Sequence, residues 1–174
     1  MPTREIDFAK LSLQDALDLA ILIEEEARER YEEFAHQMRL HRTHEAAQFF
    51  RFMAKNEEKH RAELWARRRE LFPDVPARVT REMLFDVEAP EYDEVRAFMT
   101  ARQALQAALR AEEKAHAFFV AALPTVRDPK VRTLFEELRD EEVHHRDLVR
   151  AQLASAAPDP ELGPEHFVDD PIEQ

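Results

Sequence analysis

Two short segments of the chain combine a carboxylate with an imidazole three residues further on. NEEKH at 56–60 contains Glu57 and His60, and DEEVHH at 140–145 contains Glu141 and His144. Residues three apart lie on one face of a helix, so each pair can present an oxygen and a nitrogen donor to the same metal ion. Mixed carboxylate and imidazole ligation suits iron or manganese, and zinc can also use it.

Four segments with helical periodicity carry these residues. Apolar side chains at heptad spacing predict helices over residues 13–40, 44–71, 93–122 and 129–155. Ser12 and Asp128 are suitable caps for the first and fourth helices, and Pro73 and Pro76 end the second. A single glutamate interrupts each apolar seam: Glu24, Glu57, Glu112 and Glu141.

The positions of these glutamates predict two antiparallel hairpins. Glu24 and Glu57 are equidistant from the break LHRTH, while Glu112 and Glu141 are equidistant from PTVRDP. EEEARERY in the first hairpin resembles EEKAHAFF in the second, which indicates an internal duplication. We therefore predict an all-α four-helix bundle over residues 1–155, with a long crossover at 71–90 and a proline-rich acidic tail at 156–174.

Composition excludes several other classes of function. The chain of 174 residues has one glycine and no cysteine, which argues against glycine-rich phosphate loops, thiolate metal sites and catalytic thiols. A formal charge of −12 argues against a nucleic-acid partner. The charged N-terminus and the lack of a long apolar run predict a cytoplasmic protein without a membrane span.

Four carboxylates at one level of a helical core require compensation, because burying an unpaired charge is very costly. The predicted seams contain no arginine at that level, whereas His60 and His144 lie there as neutral ligands. Two divalent cations would balance four carboxylates in formal charge. The residues alone therefore predict a dinuclear metal site, and the remaining alternative is a bundle without metal.

The four motifs in their order resemble those of the rubrerythrin family, within the ferritin-like di-iron carboxylate proteins. The resemblance covers about residues 12–155 and rests on EEEARERYEEFA, AKNEEKH, ALRAEEKAHAFF and LRDEEVHH. It implies two iron ions, with Glu57 and Glu141 bridging them. It also implies that the remaining ligands are Glu24, Glu112, His60 and His144. Tyr31 resembles the family's tyrosine beside the metals, although a core aromatic with a satisfied hydroxyl is equally consistent.

Three departures from the family pattern affect the expected function. Without cysteine the chain lacks the rubredoxin domain of rubrerythrins proper, so either electrons come from a separate donor protein or the protein is not a peroxidase that turns over. Ala115 stands where the family often has a further carboxylate, and Phe119 stands in place of a second tyrosine. Glu113 and His116 form a third Glu-x-x-His pair, but their position off the seam favours a solvated face over a ligand role.

The resemblance implies an oxidoreductase that reduces hydrogen peroxide or dioxygen at the iron pair. Oxidation of ferrous iron for storage or delivery is a second hypothesis, and an inactive structural or interaction bundle is a third. The tail does not look like the fifth helix of a ferritin cage, so we expect a homodimer. We also expect His36, His41, His44 and His145 to be surface residues.

Overall fold

The computed structural model describes residues 6–84 and 100–159, and these residues form an all-α bundle. Its long helices are α1 (Leu13–Leu40), α2 (His44–Leu71), α3 (Ala101–Ala122) and α4 (Pro129–Ser155). A short 3₁₀ helix, Arg81–Leu84, follows α2. None of the described helices is both long and apolar enough to cross a membrane. The predicted fold class is confirmed.

Local capping explains where three of the helices begin. The hydroxyl of Ser12 accepts from the backbone N–H of Asp15, and the carboxylate of Asp128 accepts from two backbone N–H groups of the first turn of α4. Thr100 and Gln103 form a reciprocal capping box at the start of α3. That cap places the start of α3 later than the predicted residue 93. The segment 93–99 lies outside the described residues.

The helices pack as two hairpins, α1 with α2 and α3 with α4, around two separate hydrophobic clusters. The first cluster joins the beginning of α1 to the adjoining ends of α3 and α4, and includes Leu17, Phe119 and Phe135. The second joins the end of α1 and the first half of α2 to the beginning of α3 and the end of α4, and includes Phe34 and Phe50. The glutamates of the seams occupy the level between these clusters.

A buried ion pair ties the start of the crossover to the first hairpin. Arg68 of α2 donates from Nε to Asp18 Oδ1 of α1 at 2.6 Å, and both side chains are buried. Arg68 also donates to the carbonyls of Phe72 and Val75, so the chain is held as it leaves α2. Gln14 donates to the carbonyl of Pro76 at 3.0 Å. The rest of the predicted crossover, 85–90, and residues 160–174 of the predicted tail lie outside the described residues.

The Asp18–Arg68 pair gives the first prediction. Arg68→Ala leaves the Asp18 carboxylate buried without its partner, so we expect the free energy of unfolding to fall by about 3–5 kcal/mol. Chemical denaturation measures this change. Arg150→Ala, which removes the exposed partner of Glu113, is the matched control and should cost less than about 1 kcal/mol. Equal losses in the two variants would contradict a special role for the buried pair.

Candidate metal centre

Three helices present their glutamates to the core as predicted. Glu24 of α1, Glu57 of α2 and Glu112 of α3 are each 2–3% exposed, although they are ionisable. A buried apolar residue lies one helical turn before each glutamate, and the seam continues after it with Ala27 in α1, Leu64 in α2 and Ala115 in α3, so the packing of each seam holds its glutamate inward. The level between the two hydrophobic clusters is therefore rich in carboxylates.

The structure corrects the predicted inward face of α4 by one residue. Glu142 and His145 are 5% and 2% exposed, whereas His144 is exposed and Glu141 is partly exposed. The prediction that His145 is a surface residue is wrong, and His144, expected as a ligand, points away from the cluster. DEEVHH contains two overlapping Glu-x-x-His pairs, and the second pair is the one that faces inward.

The apolar residues of α4 explain this register. Val131, Phe135, Leu138 and Val149 are buried together with Glu142 and His145, and their spacing alternates regularly between four and three residues. Val131 and Phe135 are completely buried and fix the rotation of the helix. A shift of one residue turns a helical position by about 100°. Counting from Val131 through Phe135 is the sequence signal that identifies the inward pair.

His145 lies at the centre of the inner donors. Its Nδ1 is 3.3 Å from Glu57 Oε1, 3.6 Å from Glu112 Oε2 and 4.0 Å from Glu142 Oε2. The rings of His145 and His60 stack with their centroids 5.3 Å apart. Two sets of donors that could each hold a cation follow from this arrangement: Glu112, Glu142 and His145, and Glu57, His60 and His145.

A third set of donors lies at the outer edge of the cluster. The Nδ1 atom of His60 is 3.7 Å from Glu24 Oε2 and 3.8 Å from Glu141 Oε2. In each of the three sets the donor atoms lie within 4.8 Å of one another. Glu141, which was predicted as an inward ligand, therefore stays beside the site but on its solvent side. Its role as a bridging ligand remains a prediction.

Tyr31 contacts the donor residues from the side of the second hydrophobic cluster and is completely buried. Its hydroxyl donates a hydrogen bond to Glu112 Oε1. Burial raises the pKa of Tyr31 well above its ordinary value, and the carboxylates of Glu112 and Glu57 raise it further. The hydroxyl therefore keeps its proton at neutral pH and orients the Glu112 carboxylate.

The carboxylates have very unequal proton affinities in the absence of a cation. Burial raises the pKa of Glu57 well above its ordinary value, and the charges of Glu24 and Glu112 add to the effect. Burial alone would also raise the pKa of Glu112, but hydrogen bonding with His145, Glu142 and Tyr31 outweighs it and lowers the pKa to about 2. The nearby Glu24 carboxylate raises the pKa of His60.

The third Glu-x-x-His pair does not join the site. Glu113 forms an exposed ion pair with Arg150 at 2.9 Å, and His116 belongs to no set of metal donors among the described residues. Glu113 is exposed, as expected for a solvated face, whereas His116 is partly buried. Ala115 and Phe119 are buried on the inward side of α3 and supply no donor there.

Comparison with known proteins identifies the family to which this arrangement belongs. The model of the rubrerythrin family matches residues 15–153, which includes all four long helices almost completely. The chain belongs to the rubrerythrin family. A search of curated proteins found no match.

Two solved structures share the fold with this rubrerythrin-family chain. An uncharacterized conserved protein from Magnetospirillum magnetotacticum MS-1 is 27% identical, with a TM-score of 0.70 over 86% of this chain and 99% of its own. A hypothetical protein from Pyrococcus furiosus is 25% identical, with a TM-score of 0.59 over 84% of this chain and 90% of its own. The bundle is thus similar to known structures over most of its length.

The buried charge cluster gives a prediction about the metal-free protein. Glu57→Gln keeps the side-chain shape but removes a carboxylate that is disfavoured by burial and by two like charges. We therefore expect the free energy of unfolding to rise by about 1–2 kcal/mol at neutral pH. Thermal denaturation in the presence of a chelator measures the change. Glu58→Gln, at the neighbouring partly exposed position, removes a carboxylate that is paired with Arg61, so as the control it should not stabilise the protein. A less stable Glu57→Gln variant would contradict the electrostatic reading of the site.

Proposed function

We propose that this protein holds two iron ions within the bundle and reduces hydrogen peroxide with electrons from a separate donor. The observation that supports the proposal is the convergence of four carboxylates and two imidazoles on one buried level. Membership of the rubrerythrin family points to the same di-iron carboxylate chemistry. Manganese or zinc could use the same donors.

The donors fit a pair of divalent cations in number, type and charge. Among the described residues, Glu24 Oε2, Glu57 Oε1 and His60 Nδ1 are buried and have no hydrogen-bond partner. Buried polar atoms are normally satisfied, so three such atoms at one level indicate a missing ligand. The four buried carboxylates, Glu24, Glu57, Glu112 and Glu142, would neutralise two dications in formal charge.

The two inner sets of donors indicate how the ions would be held. Glu112, Glu142 and His145 would hold one ion, while Glu57 and His60 would hold the other, with Glu24, which forms a set with His60, as a further ligand. Hydrogen peroxide would accept two electrons, one from each ferrous ion, and two protons to give two molecules of water. Tyr31 would keep Glu112 oriented through its hydrogen bond, and the hydrophobic clusters on either side would limit water around the site.

The electrons have to come from outside the chain in this proposal. The sequence contains no cysteine, so it cannot hold the four-thiolate iron site that serves as donor in rubrerythrins with a rubredoxin domain. A separate electron-transfer protein remains a prediction. The homodimer and the cytoplasmic location also remain predictions.

Oxidation and handling of ferrous iron is the second candidate. The partly exposed Glu141 beside His60 and Glu24 favours it, because these donors extend from the buried cluster towards solvent, as cation transfer would require. The formal charge of −12 would also attract cations. An inactive structural bundle would need neither feature, and metal content distinguishes it from both redox roles.

Neighbouring histidines of α4 provide a direct test of the metal site. We expect His145→Ala to lose most of the bound iron, because His145 would hold the first ion and its Nδ1 lies 3.3 Å from Glu57 Oε1, which would hold the second. His144→Ala should still bind two ions per chain, since His144 is exposed. Metal analysis after anaerobic loading with ferrous iron measures both. Loss of iron in His144→Ala with retention in His145→Ala would overturn the proposed ligands.

The choice between the two redox roles depends on the oxidant. We expect the iron-loaded protein to be oxidised at least about tenfold faster by hydrogen peroxide than by dioxygen at equal concentration. Rapid mixing followed by visible absorption measures both rates on one preparation. Faster oxidation by dioxygen, with uptake of iron beyond two per chain, would instead support iron handling.

A further inference from the structure

Exposure within the donor cluster is distributed unevenly. The side chains of Glu24, Glu57, Glu112 and His145 are all nearly inaccessible to solvent. By contrast, the side chains of His60 and Glu141 are 17% and 40% exposed. Within the part of the chain that the structure describes, the cluster therefore reaches solvent on the side where these two residues lie.

A cleft between α2 and α4 opens at this point. It has a volume of about 130 Å³, and His60 and Glu141 line it on the side of the cluster. Leu64, Leu134 and Leu138 form its apolar walls, and all three are buried. Glu24 Oε2 lies 3.7 Å from His60 Nδ1 and has no hydrogen-bond partner, and the Glu24 side chain is 3% exposed. The cleft thus leads to a buried ligand atom that is available for a cation.

Charged side chains surround the mouth of the cleft. Glu63 of α2 and Glu137 of α4 are exposed on its rim, and Glu141 lies further in. Arg67 of α2 spans the gap, with Nη1 3.3 Å from Glu137 Oε2. Lys59 lies 3.8 Å from Glu63. Three carboxylates and one arginine therefore line a passage that ends at an imidazole.

We propose that this cleft is the entrance through which divalent cations reach the metal centre. The rim carboxylates attract the cation, Glu141 binds it first, and His60 with Glu24 accepts it from Glu141. The distance of 3.8 Å between Glu141 Oε2 and His60 Nδ1 is short enough for one cation to contact both donors during the transfer. Arg67 opposes entry, since its positive charge lies across the mouth. This inference rests on the proposed metal-binding function.

The rate of cobalt(II) binding tests the entrance, because cobalt is not oxidised by air under mild conditions and its visible absorption reports coordination. The variant Glu63→Gln with Glu137→Gln removes two rim charges but no donor of the buried cluster. At low ionic strength we expect its association rate constant to fall about 3–10-fold, with an unchanged final amount of bound cobalt. High salt should remove most of the difference by screening.

A control variant separates the rim from the net charge of the protein. Glu33→Gln with Glu45→Gln makes the same change in net charge at exposed positions near the α1–α2 turn, and should bind cobalt at a rate within about twofold of the unchanged chain. Arg67→Gln should bind faster than the unchanged chain. These three rates together would support the entrance.

Two results would overturn the inference, and they differ in what they mean for the metal centre. Equal rates for the rim variant and the control variant, with normal final binding, would rule out this entrance but leave the proposed function intact. Failure of the unchanged chain to bind cobalt or iron at all would overturn both. Circular dichroism of each variant confirms that the helices are retained.

Discussion

The burial of four carboxylates at one level of a helical bundle is the constraint on which the rest of this structure depends. An ionised carboxylate is strongly destabilised away from water unless cations or hydrogen bonds compensate it. Here Glu24, Glu57, Glu112 and Glu142 are all nearly inaccessible, and their neighbours at this level include two histidines. The pKa of Glu57 is raised, whereas that of Glu112 is lowered. Without a cation, the cluster therefore compensates the charge of some of its carboxylates and not of others.

The surrounding structure stabilises this unfavourable level from two directions. Hydrophobic clusters lie on both sides of it, so the apolar burial that stabilises the bundle does not depend on the charged residues themselves. Tyr31 belongs to one of these clusters and also donates to Glu112, which links the apolar packing to the orientation of a carboxylate. Arg68, which is paired with Asp18, also binds the backbone just after the end of α2 and so fixes the path of the chain there.

Much of the site could be predicted from the sequence because helical periodicity determines which residues face inward. Glu24, Glu57 and Glu112 each have an adjacent glutamate, but the apolar seams of their helices select these three, and the structure buries all of them. Motifs at matching positions in two hairpins also sufficed to predict the antiparallel pairing. The start of α3 was harder to predict from the sequence. The helical pattern of apolar residues runs on both sides of Thr100, so it does not mark Thr100 as the N-cap.

The α4 register shows the limit of such reasoning. In DEEVHH, adjacent glutamates and adjacent histidines allow two Glu-x-x-His pairs. Equal distance from the α3–α4 loop does not distinguish them, because the midpoint with Glu112 falls within the loop for either glutamate. Packing resolves the ambiguity, since the full burial of Val131 and Phe135 turns Glu142 and His145 inward and leaves Glu141 at the edge. The resulting difference is chemical as well as geometric, because it places a carboxylate between the buried donors and solvent.

Anomalous X-ray diffraction from crystals of the iron-loaded protein would test the central claim most directly, because it locates iron without assuming its ligands. Our account predicts two anomalous peaks per chain at the level of the buried carboxylates, one beside Glu112, Glu142 and His145 and the other beside Glu57 and His60. Crystals in which iron is absent from that level, or occurs only at exposed acidic side chains, would contradict it.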